Sequence, residues 1–422
     1  MLAEIIGIGD ELLYGLTTNS NATEIAAKLM SIGVEPRHLT TVGDDAAAMT
    51  DALKRAFSRV DVVITTGGLG PTPDDFTQKV VADYFGMKIV EFPDLLEEVQ
   101  KKYGRLKRPM PEFARNQSWF PVGATRINNP IGTATGIEVE HEGKLLFVLP
   151  GVPSEAMIMT DQTILPKLAA IPRSEIIAYK LIRTIGWGET QIQEKIGTEG
   201  LKQIEETGCG LAFLPKHGMV DLRITARAAK KELAETKLAK ALPVLLKATE
   251  GIRYTIGNDT LIETIKHKLE NENEWLATAE SCTGGMIAEE LTNVPGISAV
   301  YRGGVVAYHN DTKSTMLDVP HEMLAEYGAV SQEVAETMAL NACRRLNANY
   351  SISVTGISGP TGGTEEKPVG TVWIAIGTRE RFEEGDRYDV ISKRFVFPGP
   401  RHVHRVRTMN KALEMLWHQI VG

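Results

Sequence analysis

Trp275-Leu-Ala-Thr-Ala-Glu-Ser-Cys-Thr-Gly-Gly285 reads as a strand, a sharp turn and the start of a helix. The apolar run stops at Glu280-Ser281, two glycines follow, and Met286 to Leu291 opens a helix. A hydroxyl at such a corner lies beside the open N–H groups of a helix N-terminus, which bind a phosphate or stabilise an oxyanion. A serine before Gly-Gly also reads as a plain turn or helix cap, so its partners decide between the two.

The partners are sought downstream, in a unit spanning residues 256–422. A helix over 261–269 precedes the corner. A strand over 304–308 ends at Tyr308, and a helix begins near 312, with Asn310 or Asp311 as its cap and Lys313 in its first turn. A lysine there feels the positive end of the helix dipole, which favours the neutral amine. A neutral lysine is a competent base for a serine hydroxyl. The plain alternatives are a solvated lysine and a core tyrosine with a wet tip.

A helix over 331–346, a strand over 351–354 and the loop Thr355-Gly-Ile-Ser-Gly-Pro-Thr-Gly-Gly363 follow. Such a loop exposes successive N–H groups and suits a phosphate. Strands over 369–377 and 392–396 lead to Pro398-Gly-Pro-Arg401 and a closing helix over 402–420. Arg401 is placed to clamp a phosphate in the fork geometry that lysine lacks, or to be a solvated arginine.

Residues 1–170 alternate strand and helix. Strands over 4–9, 38–42, 61–66 and 144–149 end in Gly9-Asp10-Glu11, Gly43-Asp44-Asp45, Gly67-Gly-Leu-Gly-Pro-Thr-Pro-Asp-Asp-Phe-Thr77 and Pro150-Gly-Val-Pro-Ser-Glu155. Helices are expected over 22–32, capped at Asn19-Ser20-Asn21, and over 46–57. Repeated βα units imply a three-layer α/β domain with a mostly parallel sheet, whose ligands bind beyond the carboxyl ends of the strands. The glycines of 67–77 allow close backbone approach to an anion, and Asp74 and Asp75 then call for a cation. Carboxylates at the other strand ends, Asp10 and Asp44 among them, suggest a divalent metal and phosphoryl chemistry, or else helix caps.

Residues 171–255 form a small α+β segment: a strand over 176–184, a turn at 186–190, a strand pair over 210–214 and 220–226, and a helix over 228–249 that Pro243 kinks or splits. Gly197-Thr-Glu-Gly200 reads as a polar turn. A structural connector is the bland reading.

The chain has 422 residues, 43% hydrophobic and 24% charged, with net charge -8, so a broad basic nucleic-acid surface is not expected. Its cysteines, Cys209, Cys282 and Cys343, are widely spaced and odd in number, which fits a reducing cytosol better than a disulfide framework or a metal site. The N-terminus carries an acid at position 4 and no basic stretch, unlike a secretory signal. No apolar run approaches the ~20 residues of a membrane span.

Ala279-Glu-Ser-Cys-Thr-Gly-Gly285, Gly303-Gly-Val-Val-Ala-Tyr-His-Asn-Asp-Thr-Lys313, Gly328-Ala-Val-Ser331, and Thr355-Gly-Ile-Ser-Gly-Pro with Glu366-Lys-Pro-Val-Gly-Thr-Val-Trp373 together resemble the C-terminal domain of the CinA (competence/damage-inducible protein A) family. The resemblance implies an α/β amidase domain that hydrolyses nicotinamide mononucleotide to nicotinic acid mononucleotide and ammonia without a cofactor. It assigns Ser281 as nucleophile, Lys313 as base and Tyr308 as active-site partner, with Thr283, Gly284, Gly285, Thr355, Gly356, Ser358 and Arg401 in the substrate pocket. The family's Gly-Asp-Arg before the last helix is Gly399-Pro400-Arg401 here.

The stretch 67–77, with Gly9-Asp-Glu-Leu-Leu13, Asn129-Pro-Ile-Gly-Thr133 and Leu149-Pro-Gly-Val-Pro-Ser-Glu155, resembles the molybdopterin-binding-like N-terminal domain of the same family. There the resemblance implies metal-dependent cleavage of ADP-ribose to AMP and ribose 5-phosphate. Gly67, Gly68, Gly70, Thr72, Asp75 and Thr77 would hold the nucleotide, and Asp10, Asp44 and Asp75 a divalent metal. The family has Gly-Thr-Ala-Pro-Gly where this chain has Gly132-Thr-Ala-Thr-Gly136. The middle segment resembles the family's KH-like domain, although Glu199 in Gly197-Thr-Glu-Gly200 would repel a nucleic-acid backbone. A cytoplasmic homodimer is the implied assembly. The alternatives are a binding-only N-terminal domain, or a non-enzymatic adaptor in DNA uptake.

Overall fold

Consecutive residues of a strand point to opposite faces of its sheet, so strands covered on both sides read as unbroken apolar runs. Val62-Val-Ile64 is such a run, and Ala3-Glu-Ile-Ile6 is one interrupted by a single acid; they form the centre of the N-terminal sheet. The computed structural model describes residues 1–72, 75–105, 107, 109–216, 218–382 and 384–422. Asp74, expected in the phosphate loop, lies outside them. The chain divides into two compact units, Met1–Ala178 with Ala226–Thr236, and Tyr179–Thr225 with Lys237–Gly422.

The first unit contains strands β1 (Leu2–Ile8), β2 (Glu35–Val42), β3 (Val62–Thr66), β4 (Ile89–Glu91), β5 (Trp119–Pro121), β6 (Thr125–Ile127), β7 (Gly136–His141) and β8 (Lys144–Leu149). The main sheet has the order β2-β1-β3-β8-β7-β6, and β4 pairs separately with β5. β2, β1, β3 and β8 are parallel. β7 and β6 are antiparallel additions. The reversal between β7 and β8 is made by Glu142 and Gly143, both at positive φ (50° and 75°), the two-residue turn whose twist matches a hairpin.

Ile5, Ile64 and Phe147 pack on one face with Ile25, Leu29 and Leu168. Ile6, Val63 and Leu146 pack on the other with Met49, Leu53 and Val80. This is the three-layer arrangement expected. Phe147 is fully buried, and truncating it to alanine costs about 3–5 kcal/mol. Asn19 caps the helix Ser20–Ser31 and Asp45 caps Ala46–Arg59, each side chain accepting from an N–H three residues on.

In the middle segment, β9 (Ile176–Ile185), β10 (Cys209–Lys216), β11 (Met219–Ala228) and β12 (Arg253–Ile256) form a sheet in the order β10-β11-β9-β12. The helix Lys231–Ala248 continues past Pro243 and is not split by it. Gly197, at φ 67°, is a non-helical break inside Glu189–Glu206, so the Gly-x-x-Gly stretch joins two helical pieces.

The remainder of the second unit is built on β13 (Leu276–Glu280), β14 (Tyr301–Val306), β15 (Tyr350–Gly356), β16 (Thr371–Phe382) and β17 (Gly385–Val396), in the order β14-β13-β15-β16-β17. β14, β13 and β15 are parallel; β16 and β17 alternate in direction. Ile352, Val354 and Ile374 pack against Ile265 and Leu269 of the helix Leu261–Glu272, and against Leu413, Leu416 and Trp417 of the helix Arg401–Val421. On the opposite face, Ala277 and Ala279 pack against Leu317, Leu324, Val334 and Met338.

Three expectations shift here. β14 ends at Val306, so Tyr308 lies two residues beyond the strand. The following helix is Asn310–Leu317, and its cap is His309, whose ring accepts from the Asp311 N–H, not Asn310 or Asp311. The last two strands are longer than expected, forming a hairpin of 12 residues a side. Among the described residues no helix is long and apolar enough to cross a membrane.

Candidate functional site

The carboxyl ends of β13, β14 and β15 lie side by side because these strands are parallel neighbours, and such ends are where α/β sheets bind ligands. Ser281 follows β13 directly, and its N–H donates to Val354 O on β15 at 3.0 Å. Gly284 and Gly285, at φ 60° and 92°, make the left-handed turn that a side chain would strain.

Lys313 comes from the helix after β14 and is 1% exposed. Its Nζ lies 3.1 Å from Ser281 Oγ, 2.9 Å from Ala307 O and 3.5 Å from Tyr308 O. Burial pushes its pKa below the usual lysine value. Desolvation penalises the charged form and so favours the neutral amine. A neutral amine has two hydrogens and one lone pair. With the hydrogens donated to the two carbonyls, the lone pair is left to accept from the Ser281 hydroxyl.

The helix N-terminus does not supply the expected oxyanion site. The Glu280 carboxylate is buried and accepts from the N–H groups of Gly285 (3.0 Å), Ile287 (3.1 Å) and Ala288 (2.8 Å). Those donors are occupied. Cys282, beside the serine, is buried, and desolvation pushes its thiol up to about 12, which leaves it unreactive.

Arg401 donates through Nη2 to the Tyr308 hydroxyl at 2.7 Å and through Nη1 to Gly359 O at 3.1 Å. The structure therefore brings together the Ser281–Lys313 pair, Tyr308, Arg401 and the loop after β15. The other pocket candidates have structural contacts. The Thr355 hydroxyl donates to Ala329 O at 2.6 Å. A Cβ on Gly356 would lie 2.8 Å from Thr371 O, so this glycine permits close strand approach. Thr283 O accepts from Arg405, and Ser358 bonds to His404.

In the first unit, an open cavity of about 530 Å³ lies at the ends of β1, β2, β3 and β8, lined among others by Asp44, Gly67, Gly68, Gly70, Thr72 and Asp75. Asp75 accepts from the Thr72 N–H (3.0 Å) and hydroxyl (2.5 Å). Thr77 is buried, its hydroxyl donating to Gly67 O at 3.1 Å, so it braces the loop without lining the cavity. Asp10 and Asp44 each accept from the other's N–H, at 3.2 and 3.1 Å. Among the described residues no group of three or more His, Cys, Asp or Glu is placed to hold a metal ion, so Asp10, Asp44 and Asp75 do not converge as the expected ligand set.

Three family models match this chain: the CinA C-terminal domain over residues 258–420, the probable molybdopterin binding domain over 4–170, and the damage-inducible protein CinA KH domain over 179–244. A putative competence-damage inducible protein of Caldicellulosiruptor bescii is 37% identical over 421 residues, covering 100% of both chains. The chain belongs to the CinA family. A CinA-like protein of Gemmatimonas aurantiaca is 39% identical over 98% of this chain and 95% of its own. The solved competence/damage inducible protein CihA of Agrobacterium tumefaciens is 41% identical, covering 37% of this chain and 91% of that one, with a TM-score of 0.34.

Within this CinA-family chain, sequence reasoning misses Glu280 as the helix cap, and His404 and Arg405 as contacts of the site. Arg401, His404 and Arg405 are spaced i, i+3, i+4, one face of a helix, and that spacing is the signal that could have found the last two.

Proposed function

We propose that the C-terminal site hydrolyses the carboxamide of nicotinamide mononucleotide. The observation that carries this reading is the contact of Lys313 Nζ with Ser281 Oγ at 3.1 Å, with the lysine buried and otherwise facing carbonyls. Ser281 Oγ attacks the amide carbon as Lys313 takes its proton. Lys313 returns that proton to the nitrogen, the C–N bond breaks and ammonia leaves. Water then attacks the acyl ester with Lys313 again as base, releasing the acid and restoring the serine. Arg401 and Tyr308 supply a cationic, hydrogen-bonding edge for the nucleotide phosphate. The test is ammonia release by the purified chain from nicotinamide mononucleotide and from free nicotinamide. Release from the nucleotide, lost in Ser281→Ala, is expected; a full rate in that variant sinks the reading.

A second reading concerns the first unit. We infer that its cavity takes a pyrophosphate-bearing nucleotide such as ADP-ribose, supported by the glycine backbone of 67–70 lining it. No step is assigned to a resident metal, because the three acids do not cluster. Calorimetric titration with ADP-ribose and chromatographic detection of AMP test it. Binding is expected, and its absence overturns the reading.

A further inference from the structure

His404 is 1% exposed and Ser358 5%, and neither is used in the reaction described. His404 Nε2 lies 3.1 Å from Gly370 O, and Nδ1 lies 2.9 Å from Ser358 Oγ. A carbonyl only accepts, so Nε2 carries the hydrogen. Nδ1 then holds a lone pair, and the Ser358 hydroxyl donates to it. The next residue, Gly359, presents the carbonyl on which Arg401 Nη1 is seated, and Arg401 Nη2 reaches Tyr308. A single line of contacts thus runs from a buried imidazole to the exposed edge of the site.

We propose that His404 is a positioning residue: as the Nε2–H tautomer it holds Ser358, and through Gly359 the seat of Arg401, so that protonating it weakens nucleotide binding. The proposal rests on the amidase reading. Protonation puts a hydrogen on Nδ1, which removes the acceptor for Ser358 and leaves a charge in a buried place. Burial holds the His404 pKa below its usual value, with the Arg401 charge adding to the effect. Arg401 is the charged group facing it from its own helix. From the strand side it meets Gly370 and the Phe397 ring, and from the loop Ser358, none of them charged.

The experiment measures binding of nicotinamide mononucleotide by calorimetry from pH 7.5 down through the pH at which imidazole nitrogen NMR shows His404 protonated, in a Ser281→Ala chain that does not turn it over. The phosphate's own titration near pH 6 is common to every variant. His404→Asn keeps an acceptor in the place of Nδ1 but does not titrate. On acidification the His404 chain should lose about fivefold more affinity than the His404→Asn chain, the scale of one buried neutral hydrogen bond. Ser358→Ala and His404→Phe should bind weakly at both pH values, and His404→Asn should bind more tightly than His404→Phe at pH 7.5. Identical pH dependence with His404 and Asn overturns the proposal alone. No binding in the parent Ser281→Ala chain overturns the amidase reading and the proposal with it. Imidazole nitrogen NMR of the ligand-free chain gives a separate readout: a hydrogen on Nδ1 at neutral pH overturns the tautomer on which the proposal stands.

Discussion

Arg401 and Tyr308, 93 positions apart, meet at 2.7 Å, the guanidinium donating to the phenol oxygen. With Gly359 O also accepting, these two contacts use two of the five guanidinium hydrogens, and the fork keeps donors for a ligand. Lysine cannot reproduce this fork. Arg401→Lys should raise KM for the nucleotide about tenfold or more with kcat changed less, since binding and not bond-breaking is affected. Steady-state kinetics checks it; a fall in kcat at constant KM would place Arg401 in the chemical step.

Lys313 must be neutral to accept the serine proton. Its folded pKa lies below the ordinary lysine value because of burial. The rate should therefore fall as pH drops through that lowered value, with a slope approaching one per pH unit. Between the folded and the unfolded value the unfolded chain binds the extra proton, so raising pH through that window stabilises the fold. Lys313→Arg stays charged throughout and should be inactive across the profile. Measurable activity in that variant would remove Lys313 as the base.

Glu280 satisfies three N–H groups at the start of the helix Met286–Thr292. Glu280→Ala leaves them without an acceptor and should cost about 3 kcal/mol or more. Glu280→Gln retains one acceptor oxygen and should cost less. Urea unfolding followed by circular dichroism measures both. Equal stability of all three chains would mean that the cap contributes little.

The turns at the strand ends are legible in sequence because the parallel strands close on glycine beside a polar residue. The hairpin β16–β17 reads too short because Arg379, Glu380 and Arg381 look like loop in one dimension, yet they pair with Tyr388, Arg387 and Asp386. His404 is legible only in part: its spacing from Arg401 puts both on one helix face, but its partners Ser358 and Gly370 are 46 and 34 positions away, and only docking of the last helix brings them together. Glu280 is visible beside Ser281, but no local pattern shows that its carboxylate folds back onto the helix that follows.

Gly70 gives a test confined to the first unit. A Cβ there would lie 2.3 Å from Asp75 Oδ2, so alanine must displace the carboxylate from the Thr72 N–H and hydroxyl. The backbone at Gly70 is not at positive φ, so alanine adds little strain of its own. Gly70→Ala should therefore reshape the cavity wall without unfolding the chain. Affinity for ADP-ribose should fall about tenfold or more if that wall holds the nucleotide. Amidase activity should persist, because Ser281 and Lys313 belong to the other unit. Calorimetric titration with ADP-ribose, alongside the ammonia assay, reads both. Undiminished ADP-ribose affinity in Gly70→Ala would detach the Thr72–Asp75 turn from nucleotide binding.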